Sequence, residues 1–320
     1  MSSTALIRRT SGYETLPDAI QPTTKKVVPA FPWMGGKSWL AREIGQHLAL
    51  SRKEKKLCYV EPFAGAAAML LALPKANVEV LNDRNQDLMH FYRVLQQPDL
   101  REQLLERLYF TPYARDFFKE ALHILQDLKE TDAVTRAWAF FVVSNAAFSG
   151  GGQSNITEKR FATSTQRSQG RRMRYHREGC ASLIERLQDV VMENLPAMAI
   201  FQQYDSPKTL FFVDPPYYPA TRKIQHENSR GTYAGGEMDA IDHMEMLATC
   251  KTLTGWVALC GYSHPDYDRV LLDDGWEVRR FPKKAMASLH HDTDASQREE
   301  CVWLNPRLAQ HFRSGQATLF

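Results

Sequence analysis

Four consecutive residues, Asp214-Pro215-Pro216-Tyr217, directly follow an apolar run at 209–213 (TLFFV). Such a run predicts a buried strand, and open α/β sheets place their chemistry at carboxyl strand ends. The Asp214 carboxylate and the Pro215 carbonyl offer two acceptors for the hydrogens of a planar amine. Pro216 stiffens the turn, and the Tyr217 ring can stack on an extruded base. The pattern favours methyl transfer to the exocyclic amine of a nucleobase, against the alternative of an ordinary turn with an incidental tyrosine.

A second predicted strand, 57–61 (LCYVE), ends at Glu61 and runs into a turn of small residues around Gly65. Small residues in such a turn let the backbone approach a ligand closely. Asp83 follows the next predicted strand, 78–81, roughly 20 residues after Gly65, which is typical of an acidic residue that binds ribose hydroxyls. The second and third glycines of the dinucleotide fingerprint are missing, which argues against a dehydrogenase.

A third segment, 31–38 (FPWMGGKS), combines aromatic, glycine and basic residues. Its Gly-Lys-Ser end suggests a phosphate loop, but Phe31 stands where that motif needs a glycine, and no strand-like run precedes it. We therefore reject a nucleotide-triphosphatase. Trp33 and Lys37, next to Gly36, instead suit a cap over an adenine ring and a cation for a carboxylate.

Taken together, these motifs resemble the Dam-type (D12 class) DNA adenine-N6 methyltransferases of bacteria and their phages. The matching segments are W-M-G-G-K (33–37), E-P-F-A-G (61–65), N-D-x-N (82–85) and D-P-P-Y (214–217). The resemblance covers roughly residues 29–306. It implies an α/β, Rossmann-like mixed-sheet S-adenosylmethionine-dependent methyltransferase fold with a helical and loop target-recognition insert. It also implies S-adenosylmethionine as cofactor and double-stranded DNA as partner, in a phage, prophage or restriction-modification setting.

The resemblance also assigns roles to single residues. Asp214, Pro215, Pro216 and Tyr217 would be catalytic. The residues expected to bind the cofactor are Trp33, Gly36, Lys37, Glu61, Phe63, Gly65, Asp83 and Asp214. One departure is Ala67, where many relatives carry a glycine. The extra methyl group would narrow the space near the methionine portion of the cofactor.

A basic window lies between the predicted cofactor-binding and catalytic halves. Residues 159–177 contain seven Lys or Arg and no acidic residue, although the whole chain has a net charge of only +3. This concentration of charge predicts a strand-and-loop DNA reader, against the alternative of a solvated surface loop. Which residues read bases and which hold phosphates stays open. The DNA-binding candidates are Asn155, Arg160, Thr165, Gln166, Arg167, Arg171 and Arg172.

With 320 residues and 43% hydrophobic content, the chain predicts one large α/β domain with an insert, or two closely joined domains. The predicted parts are a flexible arm (1–28), a cofactor-binding half (29–105), a helical and target-recognition insert (106–205), a catalytic half (206–306) and a tail (307–320). Five scattered cysteines without C-x-x-C spacing favour a reducing cytoplasm and argue against a metal site. No apolar segment approaches the ~20 residues of a membrane span.

The predicted tail contains the pattern Q-x-x-L-F, formed by Gln316, Leu319 and Phe320. It resembles the short peptide by which bacterial replication and repair proteins bind the sliding clamp. The alternative is that Leu319 and Phe320 fold back onto the domain surface.

Two further functions stay open. Asp-Pro-Pro-Tyr chemistry serves any planar amine, so cytosine N4 in DNA or adenine N6 in RNA is an alternative substrate. A catalytically idle DNA-binding regulator with this fold is an alternative of a different class, against which the intact Lys37, Asp83 and Asp214 argue.

Overall fold

The computed structural model describes residues 27–33, 37, 40–48, 56–127, 131–148, 159–218, 238–282 and 299–316. Within them, the strands are β1 (Cys58–Glu61), β2 (Val78–Asn82), β3 (Val191–Glu193), β4 (Thr209–Val213), β5 (Trp256–Tyr262), β6 (Glu277–Pro282) and β7 (Glu299–Leu304). They form a sheet of order β3-β2-β1-β4-β5-β7-β6. The pairs from β3 to β5 are parallel, and β7 runs antiparallel to both β5 and β6. The predicted Rossmann-like mixed sheet is confirmed.

The strand order changes direction at β1. This first strand pairs with β2 on one side and with β4 on the other. In open α/β sheets, ligands bind in the crevice outside the carboxyl ends of the strands at such a switch point. The Glu61 end of β1 and the Val213 end of β4 therefore border the same crevice.

The helices are α1 (Leu40–Leu48), α2 (Ala68–Ala72), α3 (Gln86–Gln96), α4 (Pro98–Tyr109), α5 (Arg115–Gln126), α6 (Ala133–Ala146), α7 (Gln169–Leu187), α8 (Ala197–Tyr204), α9 (Ala240–Thr252), α10 (Pro265–Leu272) and α11 (Pro306–Gln316). Alternate residues of β4 face opposite sides of the sheet. Leu210 and Phe212 join the apolar core with α1 to α7 and α11, whereas Phe211 and Val213 join the core with α8, α9 and α10. The sheet is thus covered on both faces, as a mainly parallel sheet requires. Within the described residues, no helix is long and apolar enough to cross a membrane.

The basic window folds differently from the prediction. Its second half is not strand and loop but the start of helix α7. The Ser168 side chain accepts a hydrogen bond from Arg171 N and caps this helix, while Met173, Cys180 and Leu183 are buried along it. These apolar positions recur at helical spacing, so the helix forms although Arg174, Arg177 and Glu178 stand between them.

Two boundaries also differ from the expectations. The range 106–205 contains β3, which pairs in parallel with β2, and α8, which packs on the sheet. Residues 306–316 form helix α11 instead of a tail that leaves the domain at residue 307, and Leu308, Ala309 and Phe312 are buried. Asn305 caps α11 by accepting from Leu308 N at 3.1 Å, and Pro306 suits the first helical position.

The predicted arm lies mostly outside the described residues, as residues 1–26 do. From residue 27 the chain enters the core. Ala30 and Phe31 are buried, and the Ala30 carbonyl accepts from Asn145 Nδ2 at 3.2 Å. This segment leads directly to Trp33 and Lys37.

Candidate active site

A buried cluster of charged side chains lies at the carboxyl end of β4. Lys37 Nζ is 2.8 Å from Asp214 Oδ1 and 3.5 Å from Glu300 Oε1. Lys37 also donates to the Tyr217 hydroxyl, which in turn donates to Glu300. The side chain of Asp214 is 21% exposed, against 3% for Lys37 and 5% for Glu300. Asp214 is therefore the most exposed of the three charged side chains in the cluster.

Burial and charge together set the protonation of this cluster. Burial raises the pKa of Asp214 to about 6, although Lys37 opposes the shift. Burial alone would lower the pKa of Lys37, but the Asp214 and Glu300 carboxylates outweigh it and raise that pKa. Burial and the same carboxylates also hold the pKa of Tyr217 well above its usual value. At neutral pH, Asp214 is thus mostly ionised, Lys37 is charged and the Tyr217 phenol keeps its proton.

The Tyr217 ring is fixed by contacts on several sides. Lys37 Nζ lies 4.7 Å from its centroid, and the ring of Tyr262 on β5 meets it in an edge-on arrangement at 4.3 Å. The neighbouring Tyr218 points elsewhere. Its hydroxyl donates to Asp266 Oδ2 at 3.0 Å, and its ring lies 4.3 Å from His264. Tyr218 therefore packs against the start of α10 and ties the Asp-Pro-Pro-Tyr turn to that helix.

The turn after β1 is fixed by hydrogen bonds from the backbone and from side chains. Gly65 has a φ of +47°, and its N–H donates to Asp83 Oδ2 at 3.0 Å. Tyr92 donates to the Gly65 carbonyl at 2.9 Å. Asp83 Oδ1 also accepts from Asn85 N at 2.9 Å, and burial raises the pKa of this carboxyl. Asp83 thus fixes the glycine turn, while its half-buried carboxylate keeps acceptor capacity toward the crevice.

Trp33 lies directly against this turn. A Cβ added to Gly65 would stand 2.5 Å from Trp33 Nε1, which is too close for any side chain. The glycine therefore allows the indole to cover the turn. Phe63, in the same turn, is half-buried against the core that contains α8 and α9. Gly36 lies outside the described residues.

Glu61 lies at the carboxyl end of β1, which borders the crevice, and its side chain points into the protein. Its carboxylate is buried and accepts from the Tyr59 hydroxyl at 2.8 Å and from Leu70 N at 2.7 Å. Burial raises the pKa of Glu61 to about 8. These contacts tie β1 to the first turn of α2, which is the structural work that this side chain performs.

Ala67 occupies a strained position. Its φ is +53°, in the left-handed region, and the residue is fully buried. This is the position at which many relatives were expected to carry glycine. The methyl group here carries a conformational cost of about 1–2 kcal/mol.

The DNA-binding candidates divide into two groups. Those with exposed side chains are Arg160, Thr165, Gln166, Arg167 and Arg171. Arg172 is half-buried, and its Nη2 donates to the Asn145 carbonyl at 3.0 Å, so it fastens α7 to α6. Asn155 lies outside the described residues.

Three further exposed residues lie beside these candidates. Arg174 and Tyr175 are exposed on α7, and Phe148 is 70% exposed, with its N–H donating to the Arg160 carbonyl at 2.8 Å. The helical spacing of Arg171 and Arg174 places both arginines on one face of α7.

Glu300 is the largest omission at the site itself. It directly precedes the apolar run 301–304 of β7, and its place on the same strand face as Val302 and Leu304 is the signal that could have identified it. The described residues contain no group of three or more His, Cys, Asp or Glu side chains placed to hold a metal ion.

Comparisons with known proteins identify the family of this chain. The D12 class N6 adenine-specific DNA methyltransferase family matches residues 33–255. A DNA N-6-adenine-methyltransferase of Escherichia phage P1 is 27% identical over 146 residues, which is 46% of this chain and 19% of the phage protein. The match thus spans about a fifth of the length of that relative. Because the family match covers well over half of the chain and includes the Lys37, Asp83 and Asp214 motifs, the chain belongs to the D12 class N6 adenine-specific DNA methyltransferase family.

Proposed function

We propose that this chain transfers a methyl group from S-adenosylmethionine to N6 of an adenine extruded from double-stranded DNA. One observation carries the proposal: Asp214 stands at the carboxyl end of β4, beside the Gly65 turn, ionised at neutral pH and reaching the crevice. Membership of the family supports adenine N6 as the acceptor.

The residues around the crevice fit S-adenosylmethionine. When bound, this cofactor supplies an electrophilic methyl carbon on a positively charged sulfonium. Two carboxylates, Asp214 and Glu300, surround a single ammonium, Lys37, which leaves excess negative charge suited to that cation. Asp83 lies beside the Gly65 turn at the end of β2, and we propose that it accepts from the ribose hydroxyls of the cofactor. Trp33, Gly36, Lys37 and Phe63 would complete the binding site.

We propose that the chain's own groups act chiefly by positioning the adenine. The Asp214 carboxylate and the Pro215 carbonyl accept the two N6 hydrogens, which turns the nitrogen lone pair outward. Pro216 holds the turn and Tyr217 stacks on the base, which offsets an extrusion cost of a few kcal/mol. Such alignment contributes about 7–11 kcal/mol to catalysis. Asp214 is also placed to take the proton that N6 loses after transfer.

We propose that the exposed basic face of α7 and the segment before it hold the DNA. Arg160, Thr165, Gln166, Arg167, Arg171 and the undescribed Asn155 would contact phosphates and base edges. Arg172 would act through the packing of α7 on α6. All five cysteines are free thiols, which supports a cytoplasmic setting for this activity.

The test is to identify the product. Purified protein, unmethylated duplex DNA and S-adenosylmethionine are incubated, and the DNA is digested to nucleosides for mass spectrometry. N6-methyldeoxyadenosine is the expected product. N4-methyldeoxycytidine, or methylation of RNA only, would overturn the assignment of the substrate. No methylated nucleoside in either nucleic acid would overturn the proposed activity.

We further propose that Gln316, Leu319 and Phe320 bind the bacterial sliding clamp. The support is the Q-x-x-L-F pattern, in which the Leu-Phe pair suits an apolar pocket. Leu319 and Phe320 lie outside the described residues. Tethering would raise the local concentration of the enzyme on DNA. A peptide of residues 307–320 should bind the clamp at about micromolar strength, and Leu319→Ala with Phe320→Ala should abolish this binding. Undetectable binding of the unchanged peptide would refute the proposal.

A further inference from the structure

Glu300 lies where two elements of the crevice meet. It is on β7, paired in register with Tyr262 of β5 on one side and with Phe281 of β6 on the other. Its residue exposure is 3%. The carboxylate accepts from the Tyr217 hydroxyl and lies 3.5 Å from Lys37 Nζ. Glu300 thus contacts two members of the cluster that surrounds Asp214.

The cluster contains two carboxylates and one ammonium, so one negative charge is in excess. One carboxylate suffices to compensate a buried ammonium, yet Lys37 has Asp214 at 2.8 Å and Glu300 at 3.5 Å. A second buried carboxylate disfavours ionisation of the first. Such an arrangement costs stability, and buried like charges of this kind are found preferentially at functional sites.

The two carboxylates differ in access. Asp214 Oδ1 is buried beside Lys37, whereas the Asp214 side chain as a whole is 21% exposed. The exposed part of Asp214 therefore lies away from Oδ1 and faces the crevice. Glu300 is enclosed, so it cannot contact a substrate in this arrangement, but it can share the Lys37 ammonium and fix the Tyr217 hydroxyl.

We propose that Glu300 is a positioning residue for methyl transfer, which holds Lys37 and Tyr217 so that Asp214 is free to accept the adenine amine. This inference rests on the proposed function. With Glu300 present, the Lys37 charge is shared between two carboxylates, and Asp214 remains a strong acceptor. Without the Glu300 charge, Lys37 would pair with Asp214 alone, and the Tyr217 ring would lose its charged anchor.

The test replaces Glu300 by Gln, which keeps the shape and the acceptor oxygen but removes the charge. Single-turnover methylation, on DNA that the wild-type enzyme methylates, is followed between about pH 5 and 9. The Glu300 charge raises the pKa of Asp214. In Glu300→Gln, the acid limb of the pH profile should therefore move to lower pH, and the rate at the plateau should fall roughly tenfold or more.

Other titratable groups near Asp214 are unchanged in this variant. They are Lys37, Tyr217, Cys260 and Glu61. The matched control is Glu299→Gln, one residue earlier on the same strand, whose carboxylate lies 3.3 Å from Arg280 Nη1 instead. Glu299→Gln should keep the plateau rate and the acid limb of the wild-type enzyme. An acid limb that stays in place in Glu300→Gln overturns the inference even if the rate falls, since loss of packing alone would lower the rate without moving the limb.

A second comparison covers the case in which Glu300→Gln does not fold. Lys37→Met with Glu300→Gln removes both charges, so that Asp214 is the remaining carboxylate of the cluster. Relative to Lys37→Met alone, the double variant should have its acid limb at lower pH, because Asp214 no longer faces Glu300. Coinciding limbs would overturn the inference. A wild-type enzyme that methylates no DNA would instead refute the proposed function.

Discussion

Replacing Gly65 by Ala should destabilise the protein and loosen the crevice. The residue has a φ of +47°, where a side chain costs about 1–2 kcal/mol. The new Cβ would lie 2.5 Å from Trp33 Nε1 and 2.7 Å from Trp33 Cδ1, so the indole must move. Replacing a glycine also reduces the conformational entropy of the unfolded chain, which favours the folded state by about 0.4–1 kcal/mol. Strain and clash outweigh this gain, and we expect a net loss of about 1–3 kcal/mol in the free energy of unfolding.

Urea unfolding followed by circular dichroism measures this loss, and calorimetric titration with S-adenosylmethionine measures the effect on the crevice. Because Trp33 must leave the turn, cofactor affinity should fall about tenfold or more. The matched control is Ala67→Gly, two residues later, at a φ of +53°. Ala67→Gly relieves the backbone strain at this position. This gain is offset by the greater conformational entropy of glycine in the unfolded chain and by the loss of a buried methyl group worth about 0.8 kcal/mol. Its stability should stay within about 1 kcal/mol of the wild type.

The result that would refute this reasoning is a Gly65→Ala variant with wild-type stability and wild-type cofactor affinity. Equal destabilisation by Gly65→Ala and Ala67→Gly would also contradict it. Both residues have a left-handed backbone conformation, so the two substitutions differ in whether a Cβ atom is added or removed.

Three further predictions concern stability, DNA binding and pH. Arg186→Met leaves the buried Glu79 carboxylate without its cation, so the free energy of unfolding measured in urea should fall by about 3–5 kcal/mol. Adding Glu79→Met should restore most of this loss. An Arg186→Met variant as stable as the wild type would contradict the prediction. Arg171→Ala should reduce the slope of log DNA affinity against log salt concentration by about 0.9. Arg172→Ala should instead lower the free energy of unfolding by about 1 kcal/mol, because it loses the hydrogen bond to the Asn145 carbonyl. Equal slopes for Arg171→Ala and the wild type would show that Arg171 does not contact phosphates. Methyl transfer should decline as the pH falls through about 6, where Asp214 becomes protonated and loses its acceptor; a rate constant unchanged down to the usual carboxyl range would show that Asp214 is not required as an anion.

The sheet could be predicted from the sequence because its central strands are continuous apolar runs. β4 coincides with the predicted strand at 209–213, and β1 begins one residue after the predicted start at residue 57. Helix α7 could not be predicted as readily, because arginines separate its buried positions and hide the periodicity. Met173 and Cys180 show their role only when the helix packs against the core.

At the site, local motifs could be predicted and long-range partners could not. Asp214 and Tyr217 are adjacent to a strand end in the sequence. Glu300 reaches the same cluster only through the antiparallel pairing of β7 with β5. Arg171 and Arg172 are neighbours with the same side chain, and only the position of Asn145 beside α7 separates a surface arginine from a packing one.

The roles expected for Asp83 and Glu61 show the same limit. Asp83 follows a strand at the spacing of a ribose ligand, but its hydrogen bonds to Gly65 and Asn85 depend on how two strand ends meet. Glu61 ends β1 next to the crevice in the sequence, yet its carboxylate turns inward to the first turn of α2. The sequence pattern predicts which segments border the crevice, whereas tertiary packing determines where each side chain points.

The central claim is that Asp214 positions the amine of adenine for methyl transfer. The most direct test compares wild type with Asp214→Ala in single-turnover methylation of duplex DNA, with N6-methyldeoxyadenosine measured by mass spectrometry and S-adenosylmethionine binding measured in parallel. We predict that the variant folds and binds the cofactor but forms less than about a thousandth of the wild-type product per unit time. A folded variant that keeps more than about a tenth of the wild-type rate would contradict the claim.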